Sequence, residues 1–334
     1  MKAAVVGTDP AASPLDVRDV PDPQATRDMV VVRIKRAALN RLDAMMLANR
    51  TEEAPGTIFG SDGAGSVAAL GPDVGSHLAV GDAVVISPSL YWGLDERIPG
   101  PDYEILGSPT HGTHAEFVAV PAANVHLKPA HLSWEQAAAL PLAGVTAWRA
   151  LITRGRLKQG ETVVIGAASS GVGTLSIQIA AAIGARVVAI TSSPDKAQAA
   201  LALGATATVD RTSPTFGDEL SRATNRRADL ALDPAGAFWQ QFADTLRPAG
   251  RLVVVGKMAC HVGELRVQSV YAKQLDILGS SMGSPTDFAS LLDHVKVHGW
   301  SPTVDSVYPL MQITDAYNRL DAPDRVGKVV LDVG

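Results

Sequence analysis

Short apolar or alternating runs, each closed by Gly, Pro or Asp, dominate the first third of the chain. Val30–Ile34, Gly65–Leu70, Ala83–Ser87 and Ala115–Val120 are such runs, and period-two patterning between turn residues predicts strands. Pro21-Asp22-Pro23, Gly71-Pro72-Asp73 and Gly81-Asp82 supply the turn chemistry between them. The pattern predicts an antiparallel, barrel-like domain.

The texture changes near Leu132. Ser133 followed three residues later by Gln136 has the form of a capping box, and an Ala-rich run continues to Leu140. Apolar β runs then alternate with helical periodicity. Thr162–Ile165 predicts a strand, Gly173–Ile183 a helix, Arg186–Ile190 a second strand, and Pro194 to Leu203 a second helix. Val209, Leu230–Leu232, Leu252–Val255 and Leu275–Leu278 continue the strand series. Fully apolar strands interleaved with helices predict a parallel sheet covered on both faces. In the tail, Phe288–Val297 and Ile313–Leu320 read as helices, and Val304–Tyr308 and Lys328–Val333 as strands that return to the first domain. The division expected is a discontinuous domain of residues 1–129 and 302–334, with residues 130–301 forming the α/β domain.

Composition narrows the class. With 334 residues, 46% of them hydrophobic and 19% charged, the chain can bury two cores. A net charge of −5 and a pI near 5.9 argue against nucleic acid or an anionic membrane as partner. The single cysteine, Cys260, excludes an intrachain disulfide and any multi-cysteine zinc site. The opening MKAAVVGTDP turns polar too soon to read as a signal peptide, and the longest apolar stretch, Ile177 to Ile190, is interrupted by Gly184 and Arg186. The reducing cytosol is the expected compartment.

The clearest chemistry lies in Val163 to Gly173, where a strand ends, a loop of small residues follows and a helix begins. Small residues let the backbone approach a pyrophosphate, and the free N–H groups of a helix N-terminus attract its charge. The motif is not a strict G-x-G-x-x-G: Ala168 and Ser170 stand where the first two glycines would be, and Gly173 is kept. The β-α-β context supports a dinucleotide site. The second strand ends in Thr191-Ser192-Ser193-Pro194-Asp195-Lys196 rather than in an acid. An acid would bond a ribose 2′-OH and repel a 2′-phosphate; Thr191 replaces the acid, and Ser192 and Lys196 would accept the phosphate, with Asp195 a nearby opposing charge. The cofactor expected is NADPH.

These landmarks resemble the medium-chain dehydrogenase/reductase superfamily, in particular its branch of quinone oxidoreductases, zeta-crystallin and zinc-type alcohol dehydrogenase homologues. The resemblance runs along nearly the whole chain: Leu39-Asn40-Arg41-Leu42-Asp43, Gly60-Ser61-Asp62-Gly63-Ala64-Gly65, Leu140 to Trp148, Leu203-Gly204-Ala205 and Gly327-Lys328-Val329-Val330-Leu331 keep family order. It implies a GroES-like β-barrel domain plus a Rossmann doubly wound sheet, with the active site in the cleft between. It implies that Asn40, Thr146, Ser170, Gly171, Val172, Ser192, Lys196, Gly256 and the stretch Ser281, Met282, Gly283 line the cofactor. Where members use a tyrosine after the third strand for the 2′-phosphate, this chain has Asp210-Arg211, so Arg211 is a candidate for that role, and Thr191 is a further candidate cofactor-lining residue. A homodimer through the last Rossmann strand is also implied.

The departures concern metal. Zinc-dependent members carry a cysteine where Asn40 stands, a histidine at Ser61, an acid at Asp62 and a cysteine at Ala143. Only Asp62 could ligate, and Tyr91 to Thr110 holds no four-cysteine lobe. No metal is therefore expected. The activity expected is hydride transfer to a quinone or an α,β-unsaturated carbonyl. Asn40 or a backbone N–H would polarise the oxygen, and water or Tyr91 would supply the proton. Two alternatives stay open: a zinc-independent alcohol dehydrogenase or ketone reductase, and a non-catalytic nucleotide-binding protein. His111 and His114 read as surface or turn histidines, and His294 and His298, at i and i+4, as a solvated face. No Gly-x-Ser-x-Gly or Ser-His-Asp set supports a hydrolase.

Overall fold

A computed structural model describes residues 1–7, 15–48, 56–259 and 261–334; Cys260 lies outside them. The chain divides into two compact units, one of residues Met1–Leu142 and Ser284–Gly334, the other of residues Ala143–Gly283.

The second unit is built on a six-stranded parallel sheet. Across it the strands run Ala207–Asp210, Arg186–Thr191, Thr162–Ile165, Ala228–Asp233, Leu246–Val254 and Asp276–Gly279. In chain order this is 3-2-1-4-5-6, the doubly wound arrangement whose strand order reverses between the first and fourth strands. Val163, Val164, Ile165, Val187, Val188, Leu230 and Leu232 are fully buried on alternating faces, as a sheet covered on both sides requires. The helix Gly171–Ile183 follows the first strand and ends at Gly184 in the left-handed conformation; Pro194–Ala202 follows the second. Phe216–Thr224, Trp239–Thr245 and Val267–Lys273 are three more helices whose shorter patterns the sequence reading passed over.

The first unit is organised around one long strand, Met29–Ala38. Asp62–Leu70 pairs with it along one side, while Phe117–Pro121 and Lys328–Asp332 share the other. All three pairings are antiparallel, so the tail does return to the N-terminal sheet. One pair departs from the antiparallel expectation: Val304–Pro309 runs parallel to Lys328–Asp332 because the helix Ile313–Asp321 carries the chain back between them. The core collects Val30, Val32, Ile34, Phe59, Val67, Val84, Ile86, Leu106, Val118, Val329 and Leu331. The expected capping box is formed: Ser133 accepts from the Gln136 N–H, and Gln136 reaches back to the Ser133 N–H, at the start of Trp134–Ala138. The helix Pro285–His298 packs with this unit, its Phe288 ring 5.0 Å from that of His126.

Candidate functional site

In the second unit a loop of small residues joins the first strand to the helix Gly171–Ile183. Ser170 caps the helix Gly171–Ile183, its hydroxyl accepting from the Gly173 N–H at 3.0 Å. The Gly171 and Val172 N–H groups have no acceptor among the described residues, so two donors at a positive helix end face outward. Ala167 takes the left-handed conformation at φ 45°, turning the chain from strand to helix. A Cβ on Gly173 would collide with the Ala167 carbonyl oxygen, which is why glycine is kept there though Ala168 and Ser170 replace the others. Gly256 has a similar constraint, since its Cβ would meet the carbonyl oxygen of Pro234. Thr146 is buried, as is Met282, which has φ 50°; Ser281 is exposed.

The carboxyl ends of the second and third strands bring Thr191, Ser192, Lys196 and Arg211 together. Thr191 lies opposite Asp210, and its carbonyl accepts from the Arg211 N–H at 2.9 Å. Lys196 Nζ donates to Ser192 Oγ at 3.4 Å. Lys196 is half-buried rather than fully exposed, because the first turn of its helix folds its stem back over Ser192. Asp210 accepts from the Thr212 N–H and hydroxyl, which, with the nearby Arg211, lower its pKa.

Sequence reasoning missed Asp233 at the end of the fourth strand. Its buried carboxylate accepts from the N–H groups of Ala235, Gly236 and Ala237 and from Trp239 Nε1, at 2.7 to 2.9 Å. Burial nevertheless raises its pKa. The acid fixes the loop against which Gly256 packs. Its signal in the sequence was an acid closing an apolar strand.

In the first unit a buried polar cluster surrounds Asn40. Continuing the register of Val330 opposite Ala38 sets Lys328 opposite Asn40, and on the other flank Asp62 lies opposite Ala38. The side chains meet: Lys328 Nζ donates to Asn40 Oδ1 and, at 2.9 Å, to Asp62 Oδ2. Asn40 Nδ2 donates to the same Asp62 oxygen at 2.9 Å, and the Leu142 N–H to the other at 2.7 Å. Asp43 accepts from the Asn40 N–H and the Ser61 hydroxyl; burial pushes its carboxyl up to about 7. His114 is in the core, not at the surface, because its strand entry is wrapped by Gly60 and Tyr317. Neither of its ring nitrogens has a hydrogen-bond partner among the described residues, and burial, helped by Lys328, lowers its pKa to about 3. His294 is half-buried against Trp300, with burial lowering its pKa to about 4, so that face is not fully solvated.

Tyr91 is half-exposed, in the left-handed conformation at φ 52°, and no hydrogen bond among the described residues joins it to Asn40. Burial and the nearby Glu104 and Asp28 raise its pKa above 10. No group of three or more His, Cys, Asp or Glu side chains converges as metal ligands would among the described residues. Nor is any helix among them long and apolar enough to cross a membrane.

A doubly wound sheet with a dinucleotide loop, joined in one chain to a mostly antiparallel unit, defines a nicotinamide-dinucleotide dehydrogenase class. Comparison with known proteins agrees. Residues 26–130 match the family model described as an alcohol dehydrogenase GroES-like domain, and residues 171–296 the one described as a zinc-binding dehydrogenase. The zinc-type alcohol dehydrogenase-like protein YogA of Leptosphaeria maculans is 30% identical over 94% of this chain and 92% of its own. The trans-enoyl reductase thnE of Trichoderma harzianum is 31% identical over 83% of this chain and 75% of its own. The crystal structure of an NAD-dependent alcohol dehydrogenase superposes with a TM-score of 0.91 at 37% identity, covering 100% of both chains. The chain belongs to the medium-chain dehydrogenase/reductase superfamily and is an oxidoreductase of that type.

Proposed function

We propose that this oxidoreductase uses NADPH, without zinc, to reduce an α,β-unsaturated carbonyl compound or a quinone. The observation that carries the cofactor choice is the cluster of Ser192, Lys196 and Arg211 beside Thr191. The second strand ends in Thr191 rather than in a carboxylate that would bond two ribose hydroxyls, and Lys196 and Arg211 are the cations available to a 2′-phosphate at this edge. Ser170, Gly171 and Val172 would hold the pyrophosphate. Asn40, Thr146, Gly256, Ser281, Met282 and Gly283 are the further candidate nucleotide contacts. When bound, the dinucleotide supplies the hydride; the chain's own residues orient the substrate, polarise its oxygen and deliver a proton.

A zinc ion does not fit the residues present. Asn40, Ser61 and Ala143 supply neither thiolate nor imidazole, and Asp62, the one acid, already holds the Lys328 ammonium. Oxygen polarisation then falls to hydrogen-bond donors, of which Asn40 is the candidate side chain. Tyr91, kept protonated by its raised pKa, is the candidate proton donor. The enoyl reductase relative supports C=C reduction. The NAD-dependent alcohol dehydrogenase at 37% identity favours a second reading, ketone and alcohol interconversion with NADH.

The deciding experiment assays enones, quinones and ketones with each reduced nicotinamide, alongside elemental analysis and chelator treatment. Turnover of enones or quinones with NADPH, with zinc far below one per chain, is expected. Turnover of ketones alone, or stoichiometric zinc, overturns the reading. Intact NADPH binding with no turnover of any substrate class would instead point to a non-catalytic role. We also infer a homodimer through the edge strand Asp276–Gly279, where Ile277 is partly exposed.

A further inference from the structure

We propose that Lys328 is a positioning residue, whose ammonium fixes the amide of Asn40 so that one Nδ2 hydrogen is held ready for a substrate oxygen. The inference rests on the reading of Asn40 as the oxygen-polarising donor. It gives a role to a residue that the sequence places only in a closing strand.

An asparagine amide can be turned either way at little intrinsic penalty, and its neighbours decide which end faces them. Here the two neighbours leave no choice. Lys328 has only hydrogens to offer, so Asn40 Oδ1 faces it; ionised Asp62 has only lone pairs, so Asn40 Nδ2 faces it. Turning the amide over would set NH2 against ammonium and oxygen against carboxylate at once. Lys328 Nζ and Asp62 Oδ2 are themselves paired at 2.9 Å, with side chains 4% and 0% exposed, so the clamp is rigid and screened from water. The triangle Asn40–Lys328–Asp62 uses one of the two Nδ2 hydrogens. The second has no acceptor among the described residues.

The same contact strengthens that free donor. A cation on the amide oxygen draws electron density from nitrogen, and hydrogen bonds in a chain polarise one another in a low-dielectric interior. Strand register makes the arrangement obligatory. Lys328 opens the strand Lys328–Asp332 opposite Asn40, and the Leu39 N–H donates to the Val329 carbonyl at 2.9 Å, so the lysine cannot drift along the sheet.

The test combines two variants with two readouts. In selectively labelled wild-type protein, the Asn40 side-chain amide protons, identified by their loss in Asn40→Ala, should exchange slowly with solvent. In Lys328→Met they should exchange at least tenfold faster. If Lys328→Met does not fold, Lys328→Met combined with Asp62→Asn, which removes both charges, takes its place. Unchanged exchange overturns the proposal without any need for turnover. On 2-cyclohexenone, or whichever substrate proves active, Lys328→Met should lower kcat about tenfold or more, with NADPH affinity changed less than threefold. Lys328→Arg should recover part of the loss. In an Asn40→Ala background the same change should have no further effect on kcat. An undiminished effect there means that Lys328 does not act through Asn40, and overturns the proposal. An Asn40→Ala variant as active as wild type would sink the reading of Asn40 itself, a distinct result.

Discussion

In the second unit the strands Thr162–Ile165, Arg186–Thr191 and Ala228–Asp233 are apolar and buried at their centres, with their polar residues toward the two ends, among them Asp229 at one end and Thr191 and Asp233 at the other. In the first unit the polar chemistry is inside. Asn40, Asp43, Ser61, Asp62, His114 and Lys328 are all buried, where Met29–Ala38 meets its two flanking strands and the chain crosses from them. The contrast teaches where each unit's strength lies. The parallel sheet gains stability from area removed from water and leaves its strand ends free to bind. The antiparallel unit depends at its centre on partners that must all be present, because a buried charge without its partner is far costlier than a buried methyl group.

The largest effect should come from breaking that dependence. Asp62→Ala leaves the Lys328 ammonium, the Asn40 amide and the Leu142 N–H without their acceptor. It should lower stability by about 3–5 kcal/mol. Val164→Ala, at a fully buried position of the second unit's sheet, removes two buried methyl groups and should lower it by roughly 1.5–3 kcal/mol. Urea unfolding followed by hydrogen exchange on peptides of each unit separates the two. If Asp62→Ala weakens the first unit no more than Val164→Ala weakens the second, the contrast does not hold.

The same difference explains what was legible in the sequence. Thr162–Ile165, Arg186–Thr191 and the helices after them stand out because a sheet buried on both faces needs unbroken apolar runs, and those are local patterns. The capping box at Ser133 and Gln136 is equally local. The cluster around Asn40 was only half legible. Asn40 and Asp62 were noted through a family resemblance, but Lys328 lies 288 residues from Asn40 and reads by itself as the first residue of a strand. Its meaning comes from strand register, which no window of sequence contains. His114 was taken for a surface residue because a histidine in a Gly-Thr-His turn has no local sign of burial.

Acid should distinguish the units next. His114 is held neutral by burial, its pKa lowered to about 3 from 6.5; His126 and His294, in the same unit, are lowered to about 4. A depressed folded-state pKa contributes stability that is complete above 6.5 and is lost as pH falls toward the folded value. Asp43, raised from 3.8 to about 7, works the other way: its contribution is complete below 3.8 and is lost as pH rises through 7. Between pH 4 and 6.5 three histidines oppose one acid, so the first unit should gain stability with rising pH. Each unit of pKa difference is about 1.4 kcal/mol, which puts the His114 contribution on the order of a few kcal/mol. In His114→Phe the ring contact to Tyr317 can persist while the proton site is gone. The rise in urea midpoint between pH 4 and 6.5 should shrink by a clear margin. A slope equal to wild type would show that this histidine is not the buried neutral group.

The smallest effect should be the most selective, since it lies at the free strand ends of the second unit. Lys196 Nζ sits beside Ser192 Oγ, and Arg211 follows the neighbouring strand, so a 2′-phosphate placed there meets two cations and a hydroxyl. One charge-assisted hydrogen bond contributes roughly 1.5–3 kcal/mol, or about one to two orders of magnitude in affinity. Lys196→Ala should therefore weaken NADPH by about tenfold to a hundredfold and NADH by much less. The helix start should be kept, because the Ser193 cap bonds the backbone N–H of residue 196, which alanine retains. Arg211→Ala should act in the same direction. Thr191→Asp should act in reverse, introducing a carboxylate that repels the phosphate and bonds ribose hydroxyls, and so move preference toward NADH. Fluorescence titration of both nicotinamides against wild type and the three variants measures this directly. Equal wild-type affinities, or equal losses for both cofactors in Lys196→Ala, would mean that these strand ends do not read the phosphate, and the preference for NADPH would fall with them.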